Sequence, residues 1–333
     1  MEDTRLAQSE KAKKQDGEEG QIPVEQDDAE LHDTEEEQDT LQEQEADVTE
    51  GNDAVKDQDT ETTEPQGEKA AEAEDFSQTG ESRQTTLHFV DAWGEWHDAV
   101  IDPAVSHHTY DWNCLKRNGD EITYENDPEY TIRKGVDVSH HQGAINWEKV
   151  KAAGYEFAFL RIGYRGYGSA GTLGVDKRFA ENLQNAHAAG LDVGVYFFSQ
   201  AVNETEAEEE AELVLSQLSG AKLELPVVYD PELIRDTAAR TDDVSGEQFT
   251  KNTQTFCEKV RAAGYDPMIY SNMVWEGFLF DMKALENYPV WYADYEPKPQ
   301  TPYHFVFWQY SEKGHVDGID GIVDLDVQFV KKP

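Results

Sequence analysis

The pattern of apolar and polar positions changes at about residue 84. Before it, Glu, Gln, Asp and Thr follow one another without an apolar run or a periodic stripe, and Phe76 is the only Phe, Tyr or Trp. Beyond it, residues 85 to 134 intersperse Trp93, Trp96, Tyr110, Trp112, Tyr124 and Tyr130 with turn signals at Asn118-Gly119 and Asp127-Pro128. Asn-Gly ahead of the alternating Glu121-Ile122-Thr123-Tyr124 predicts a β-hairpin. The segment reads as a small β-rich layer whose rings form core against a larger domain, with a carbohydrate-stacking platform as the second reading.

From residue 134 onward a repeated unit appears. Ala152-Ala153-Gly154 precedes Tyr155–Leu160, Ala188-Ala189-Gly190 precedes Val193–Phe198, and Ala262-Ala263-Gly264 precedes Met268-Ile269-Tyr270. Each reads as a helix closed by a glycine and turned directly into a strand. Asn203 with Glu206, and Ser245 with Gln248, are capping-box signals for two helix starts. Buried-type strands follow at Leu225–Tyr229, Val290–Ala293 and Phe305–Gln309, with weaker ones at Gly135–Val138 and Ile322–Leu325. Apolar runs without alternation imply strands covered on both faces, hence a mostly parallel sheet. Eight strands in so short a span predict an α/β fold, a modified, TIM-like β/α barrel with fewer outer helices than usual. An open doubly wound sheet is the competing architecture. The expected organisation is an acidic tether over 1–84, a β-rich accessory segment over 85–133 and a barrel over 134–333.

Charge sharpens this picture. The 333 residues carry 70 Asp and Glu against 28 Lys and Arg, a formal net charge of −42. The first 84 residues lack the apolar surface that would offset ordering entropy, so they are expected to be a self-repelling, extended chain with a span of roughly 50 Å or more. Nucleic acid is excluded as a partner, because phosphate neutralisation needs a basic stripe. No apolar run is long enough to span a membrane. Met1–Gly20 has no apolar signal-peptide core, so the protein is expected either to stay inside the cell or to have lost an export segment. Cys114 and Cys257 fit neither a disulfide framework nor a metal knuckle and read as free thiols, with one bridge as the alternative.

Chemistry is expected where carboxylates meet strand ends, since barrel sites lie at the C-terminal ends of strands. Asp137, Asp230 with Glu232, Asp294, and Asp324 with Asp326 all occupy such positions. Asp230 and Glu232, two apart on extended chain, point the same way with Cα atoms roughly 6.6 Å apart. Converging carboxyls raise each other's proton affinity, so one can serve as an acid near neutral pH, as glycosidic cleavage requires. The bland alternative is a turn with solvated acids. Asp137 opens the polar stretch through Gly143; a metal site there is disfavoured because adjacent His140 and His141 point apart, and His140 reads as a loop hydrogen-bonder. Tyr164, Tyr196, Phe198, Tyr270, Trp291, Tyr292 and Trp308 supply rings that suit sugar faces, though about half must be core, and at most one of Trp291 and Tyr292 can face a given pocket.

Taken together, Gly135–Gly143, Asp230-Pro231-Glu232, Trp308-Gln309-Tyr310 and Gly321–Asp326 resemble the glycoside hydrolase family 25 lysozymes, the Chalaropsis-type muramidases, over about residues 134 to 330. The resemblance implies a metal- and cofactor-free hydrolase acting on peptidoglycan glycan strands at the β-1,4 bond after N-acetylmuramic acid. It assigns Glu232 as general acid, Asp230 as the carboxylate that serves the 2-acetamido group or supports the oxocarbenium-like transition state, and Asp137 and Asp324 as groove acids. Tyr196 is the expected sugar-contacting tyrosine, with Tyr164, Phe198, Tyr270, Trp291, Tyr292, Asp294 and Gln309 as further substrate-binding residues. Asp326 stands where the family pattern leads one to expect Asn. The implied enzyme is a monomer at an extracellular or wall-facing location. Rival readings are a non-catalytic wall-binding protein on the same barrel, an unrelated metal-dependent barrel hydrolase and an acidic scaffold.

Overall fold

The computed structural model describes residues 85–235 and 238–333, so the expected acidic tether lies outside the described residues. Eight strands close a barrel: β5 (Tyr130–Val138), β6 (Phe157–Arg165), β8 (Asp192–Ser199), β9 (Val227–Pro231), β10 (Pro267–Ser271), β11 (Val290–Ala293), β12 (Phe307–Gly314) and β13 (Val323–Lys331). A short strand, β7 (Leu173–Val175), folds back on β6. Neighbours from β5 through β12 run parallel, whereas β13 is antiparallel to both β12 and β5. The closed sheet excludes the doubly wound alternative. Its antiparallel closing strand sets it apart from the all-parallel eight-stranded barrel that the TIM-like expectation invoked.

The Ala-Ala-Gly signals are realised as helix ends. Helices α1 (Trp147–Ala152), α2 (Phe179–Ala188) and α4 (Gly246–Ala262) each stop before a glycine with positive φ, at Gly154 (91°), Gly190 (79°) and Gly264 (92°). Helix α3 (Glu204–Leu218) starts where Asn203 accepts the Glu206 N–H, and α4 where Ser245 accepts that of Gln248. Only half of each capping box forms, because the Glu206 carboxylate binds Val202 N–H and Arg240, and the Gln248 side chain donates to Glu204 and Asn252, instead.

The sheet is filled by rings set against glycines. Phe157 lies across from Gly135, and Phe159 from Gly194. A methyl group at Gly135 would sit 2.1 Å from the Phe157 ring, and one at Gly194 would sit 2.4 Å from Phe159 and 2.8 Å from the Pro226 carbonyl. Trp291 stacks on Phe159 at 4.7 Å, and Phe307 closes edge-on against both phenylalanines.

Helices clothe the outer face over β6 to β10; the residues before β5 cover much of the remainder. Strands β1 (Thr85–Val90) and β2 (Trp96–Ile101) form one hairpin, and β3 (Leu115–Asn118) and β4 (Glu121–Tyr124) form the one signalled by Asn118-Gly119. Tyr110 stacks on Phe329 of β13 at 4.0 Å and donates to the Phe305 carbonyl. Arg117 donates to the Tyr310 carbonyl, whose own hydroxyl returns a bond to Asp120 O. Tyr110 and Tyr124 are thus core, while Trp93 and Trp96 are 43% and 63% exposed. Strand β5 runs unbroken across residues 133 and 134, so accessory segment and barrel share a strand. Cys114 and Cys257 are both free.

Adding a methyl inside a close-packed barrel costs about 1–3 kcal/mol. Gly194→Ala is therefore expected to lower the urea midpoint at an unchanged m-value, and an unaltered midpoint would show that the Phe159 ring has room to move.

Candidate active site

One mouth of the barrel gathers its acids. Asp137 ends β5 and Asp230 ends β9, as the strand-end argument anticipates. Asp324 arrives differently: β13 runs the opposite way, so its beginning, not its end, reaches that mouth, and Asp324 pairs directly with Asp137. Asp326 follows on the same face, opposite Gly135 and beside Gln309. Glu232 lies just beyond β9, and its backbone is fixed by Gln200, whose Nε2 donates to the Glu232 carbonyl at 2.7 Å. Gln200 is itself held by the Thr241 hydroxyl at 3.2 Å.

These carboxyls raise one another's proton affinity. Burial pushes Glu232 up to about 7, with the Asp137 charge adding to the rise. Burial likewise lifts Asp137 to about 6, against the opposing hydrogen bonds from Gln309 and its acidic neighbours. Asp230, Asp324 and Asp326 are all driven well above the usual carboxylate range by burial and then by like charge. The opposing charge is Arg161, which faces Asp230 and Glu232 electrostatically while its Nε donates to Asp176 at 3.0 Å. Several carboxyls against one guanidinium cannot all ionise, so protons are retained and shared.

The hydrogen-bond geometry shows where. Tyr270 and Tyr295 hydroxyls both donate to Gln309 Oε1, at 2.9 and 3.0 Å, which turns Gln309 Nε2 onto Asp137 Oδ2 at 2.8 Å. Trp291 Nε1 donates to Asp326 Oδ1 at 2.8 Å, leaving the buried Oδ2 without a donor. The Asp326 and Asp137 side chains lie close enough to share a proton, which relieves the like charge between them. Asp230 Oδ1 is also buried without a hydrogen-bond partner.

The ring residues divide by which way their strand turns them. Tyr196 stands beside Arg161 in the ladder and meets Trp291 edge-on, within electrostatic reach of Asp137, Asp230 and Asp324. A bulge between Arg161 and Gly163 returns Tyr164 to the Arg161 side, level with Phe198, which pairs in turn with Asp230. Gln309 joins the acids directly and Tyr270 reaches them through it; Trp291 lies beneath them as a buried floor. Tyr292 is not with them: it stacks on Phe305 outside the sheet. Asp294 is a bracket, accepting the amides of Glu296 and Gln300 and the Tyr292 hydroxyl. His140 is a loop hydrogen-bonder, its backbone N–H donating to Asp176 at 3.0 Å and its ring lying against Asp176 and Arg161.

Sequence reasoning passed over Arg161 and Tyr295. The lone Arg inside the apolar run Phe157–Ile162 was a usable signal for the first, while Tyr295, in a loop, carried none. Among the described residues, Asp91, Glu95 and His97 bring ligand-type atoms within 4.8 Å of one another. Asp91 is already engaged there by the Trp93 and Glu95 amides and by His97, as a hydrogen-bonded turn requires.

Because Asp326 is raised above its ordinary 3.8, the folded state holds a proton that the unfolded chain has released, and stability is lost as pH rises beyond about 4. Asp326→Asn supplies the same donor without the charge. It is expected to raise the melting temperature by a few degrees at pH 8 and by almost nothing at pH 4; a lower value at pH 8 would contradict the shared proton.

A model of the glycosyl hydrolases family 25 matches residues 136–319, which include Asp137, Arg161, Tyr196, Asp230, Glu232 and Gln309 and stop just short of Asp324. Lysozyme M1 of Streptomyces globisporus is 33% identical over 203 residues, covering 57% of this chain and 66% of its own. The autolytic lysozyme of Clostridium acetobutylicum is 28% identical over 196 residues, covering 58% of this chain and 55% of its own. The match thus spans less than two thirds of the length of either lysozyme. A solved family 25 glycosyl hydrolase from Bacillus anthracis is 26% identical, with a TM-score of 0.51 over 62% of this chain and 92% of that one. The chain belongs to glycosyl hydrolase family 25.

Proposed function

We propose that this protein is a peptidoglycan hydrolase, an N-acetylmuramidase that cleaves the β-1,4 bond between N-acetylmuramic acid and N-acetylglucosamine and works facing a cell wall. The observation that carries the reading is the gathering of five carboxyls at one mouth of the barrel, where burial pushes Glu232 up to about 7. Family membership and the lysozyme names of two relatives support it.

In this reading Glu232 gives its proton to the glycosidic oxygen as the bond to C1 breaks. The 2-acetamido oxygen of the same sugar closes on C1 as positive charge develops there. Asp230 accepts the acetamido N–H on the buried oxygen that otherwise has no partner. That hydrogen bond stabilises ionised Asp230 and leaves the proton on Glu232, which has to donate it. Water then attacks C1 and returns a proton to Glu232, so configuration is retained. Asp137 adds negative charge beside the oxocarbenium-like centre, Asp324 lines the groove next to it, and Tyr164, Tyr196 and Phe198 offer rings along the mouth.

The test is release of reducing ends from purified peptidoglycan by the wild-type chain and by Glu232→Gln, in the presence of chelator, with the first-formed anomer followed by proton NMR. Expected are chelator-insensitive release by the wild type, a loss of about 10²–10⁴-fold in the variant, and the β-anomer first. No release by the folded wild type would favour a wall-binding role, and an initial α-anomer would replace the acetamido route with direct attack by water.

A further inference from the structure

The turn joining β1 to β2 lies outside the segment matched by the family, yet it meets Arg235 in the loop that follows Glu232. A cleft of about 210 Å³ is lined on one side by Val90–Gly94 and on the other by Tyr270, Asn272, Met273 and Tyr295. Tyr270 and Tyr295 are the two residues whose hydroxyls orient Gln309 toward Asp137, and both lie within electrostatic reach of Glu232. The cleft therefore shares two tyrosines with the network that orients the mouth acids, and none of those acids lines it.

Its far wall is rigid. Asp91 Oδ1 accepts the amides of Trp93 and Glu95 at 3.0 and 2.9 Å, its Oδ2 meets His97 at 2.8 Å, and Gly94 takes a φ of 80°. Gln300 fastens this hairpin to the barrel, accepting Val90 N–H at 2.9 Å and donating to Val90 O at 2.8 Å, while its own amide donates to Asp294. At the tip Trp93 stays 43% exposed even though the Arg235 guanidinium lies 4.0 Å over its ring. Arg235 follows Glu232 by three residues and also pairs with Glu95 at 3.3 Å. A fixed, open indole tied to the loop of the proposed acid, over a cleft floored by tyrosines, is the composition of a carbohydrate site: flat rings for C–H faces and a few polar groups for hydroxyls.

We infer that this cleft is an additional glycan subsite, in which Trp93 stacks on a sugar unit of the same strand several residues away from the bond being cut. The inference rests on the muramidase reading and extends the groove beyond the residues that the family contributes. Arg235 acts as a positioning residue, holding the indole upright beside the loop that carries Glu232.

The test compares kcat/KM on long, peptide-free glycan strands with that on a tetrasaccharide of the same repeat, using the full chain and its Trp93→Ala and Trp93→Phe variants, with circular dichroism as the folding control. Trp93→Ala is expected to lose about tenfold more on long strands than on the tetrasaccharide, through KM, and Trp93→Phe to recover most of it. Equal losses on both substrates, or none on long strands, would overturn the subsite. If the wild type hydrolyses neither substrate, the muramidase reading fails by itself. The subsite is then judged by indole fluorescence on titration with the long strands: a change present in wild type and absent in Trp93→Phe supports it, and its absence in wild type overturns it.

Discussion

Five carboxyls gathered at one end of a barrel, against one nearby guanidinium, set the terms for this molecule. Charge of a single sign buried at short range is unfavourable unless protons are retained. Asp137, Asp230, Glu232, Asp324 and Asp326 share the protons that remain, each with its proton affinity raised above the ordinary value by burial in the first place. The antiparallel direction of β13 creates the cluster, because it sets Asp324 directly across from Asp137. Such an arrangement persists only on a frame too stiff to let the acids drift apart into water. The ring-and-glycine packing beneath them, Phe157 on Gly135 and Phe159 on Gly194, supplies that frame.

The outer cover of the barrel is a second consequence. Helices protect one side of the sheet, and the N-terminal hairpins take over much of the other, through Tyr110 on Phe329 and Arg117 on the Tyr310 carbonyl. An accessory segment that begins as a patch on the scaffold is thereby brought against the loop after Glu232, where Arg235 meets Trp93 and Glu95. Gln300 and Asp294, at the junction, do the fastening.

What could be read from the sequence was what local chemistry dictates. Ala-Ala-Gly endings, N-caps at Asn203 and Ser245, and the Asn118-Gly119 turn each depend on a few neighbouring residues, and each is realised. Strand geometry also led one to expect Asp230 and Glu232 to converge, but β9 ends at Pro231, and Glu232 is placed by the loop beyond it and by Gln200. The direction of β13 was not legible, because an apolar run carries no sign of its orientation; Asp324 therefore looked like a strand end when it is a beginning. Parity allowed one of Trp291 and Tyr292 into a common pocket without naming it, and the structure turns Trp291 to Asp326 and Tyr292 to Phe305. Trp93 looked like the core aromatics around it, since its exposure is set by a tertiary cleft that the pattern of its own segment does not reveal.

The central claim is that burial among acids, rather than any special chemistry of its own, keeps Glu232 protonated near neutrality. Carbon-13 NMR of the side-chain carboxyls, with Glu232 assigned by the signal missing in Glu232→Gln, measures this directly. The account predicts a Glu232 titration centred near 7 that moves down when Asp137 is replaced by Asn. A midpoint near the ordinary 4.5, unmoved by that replacement, would contradict it.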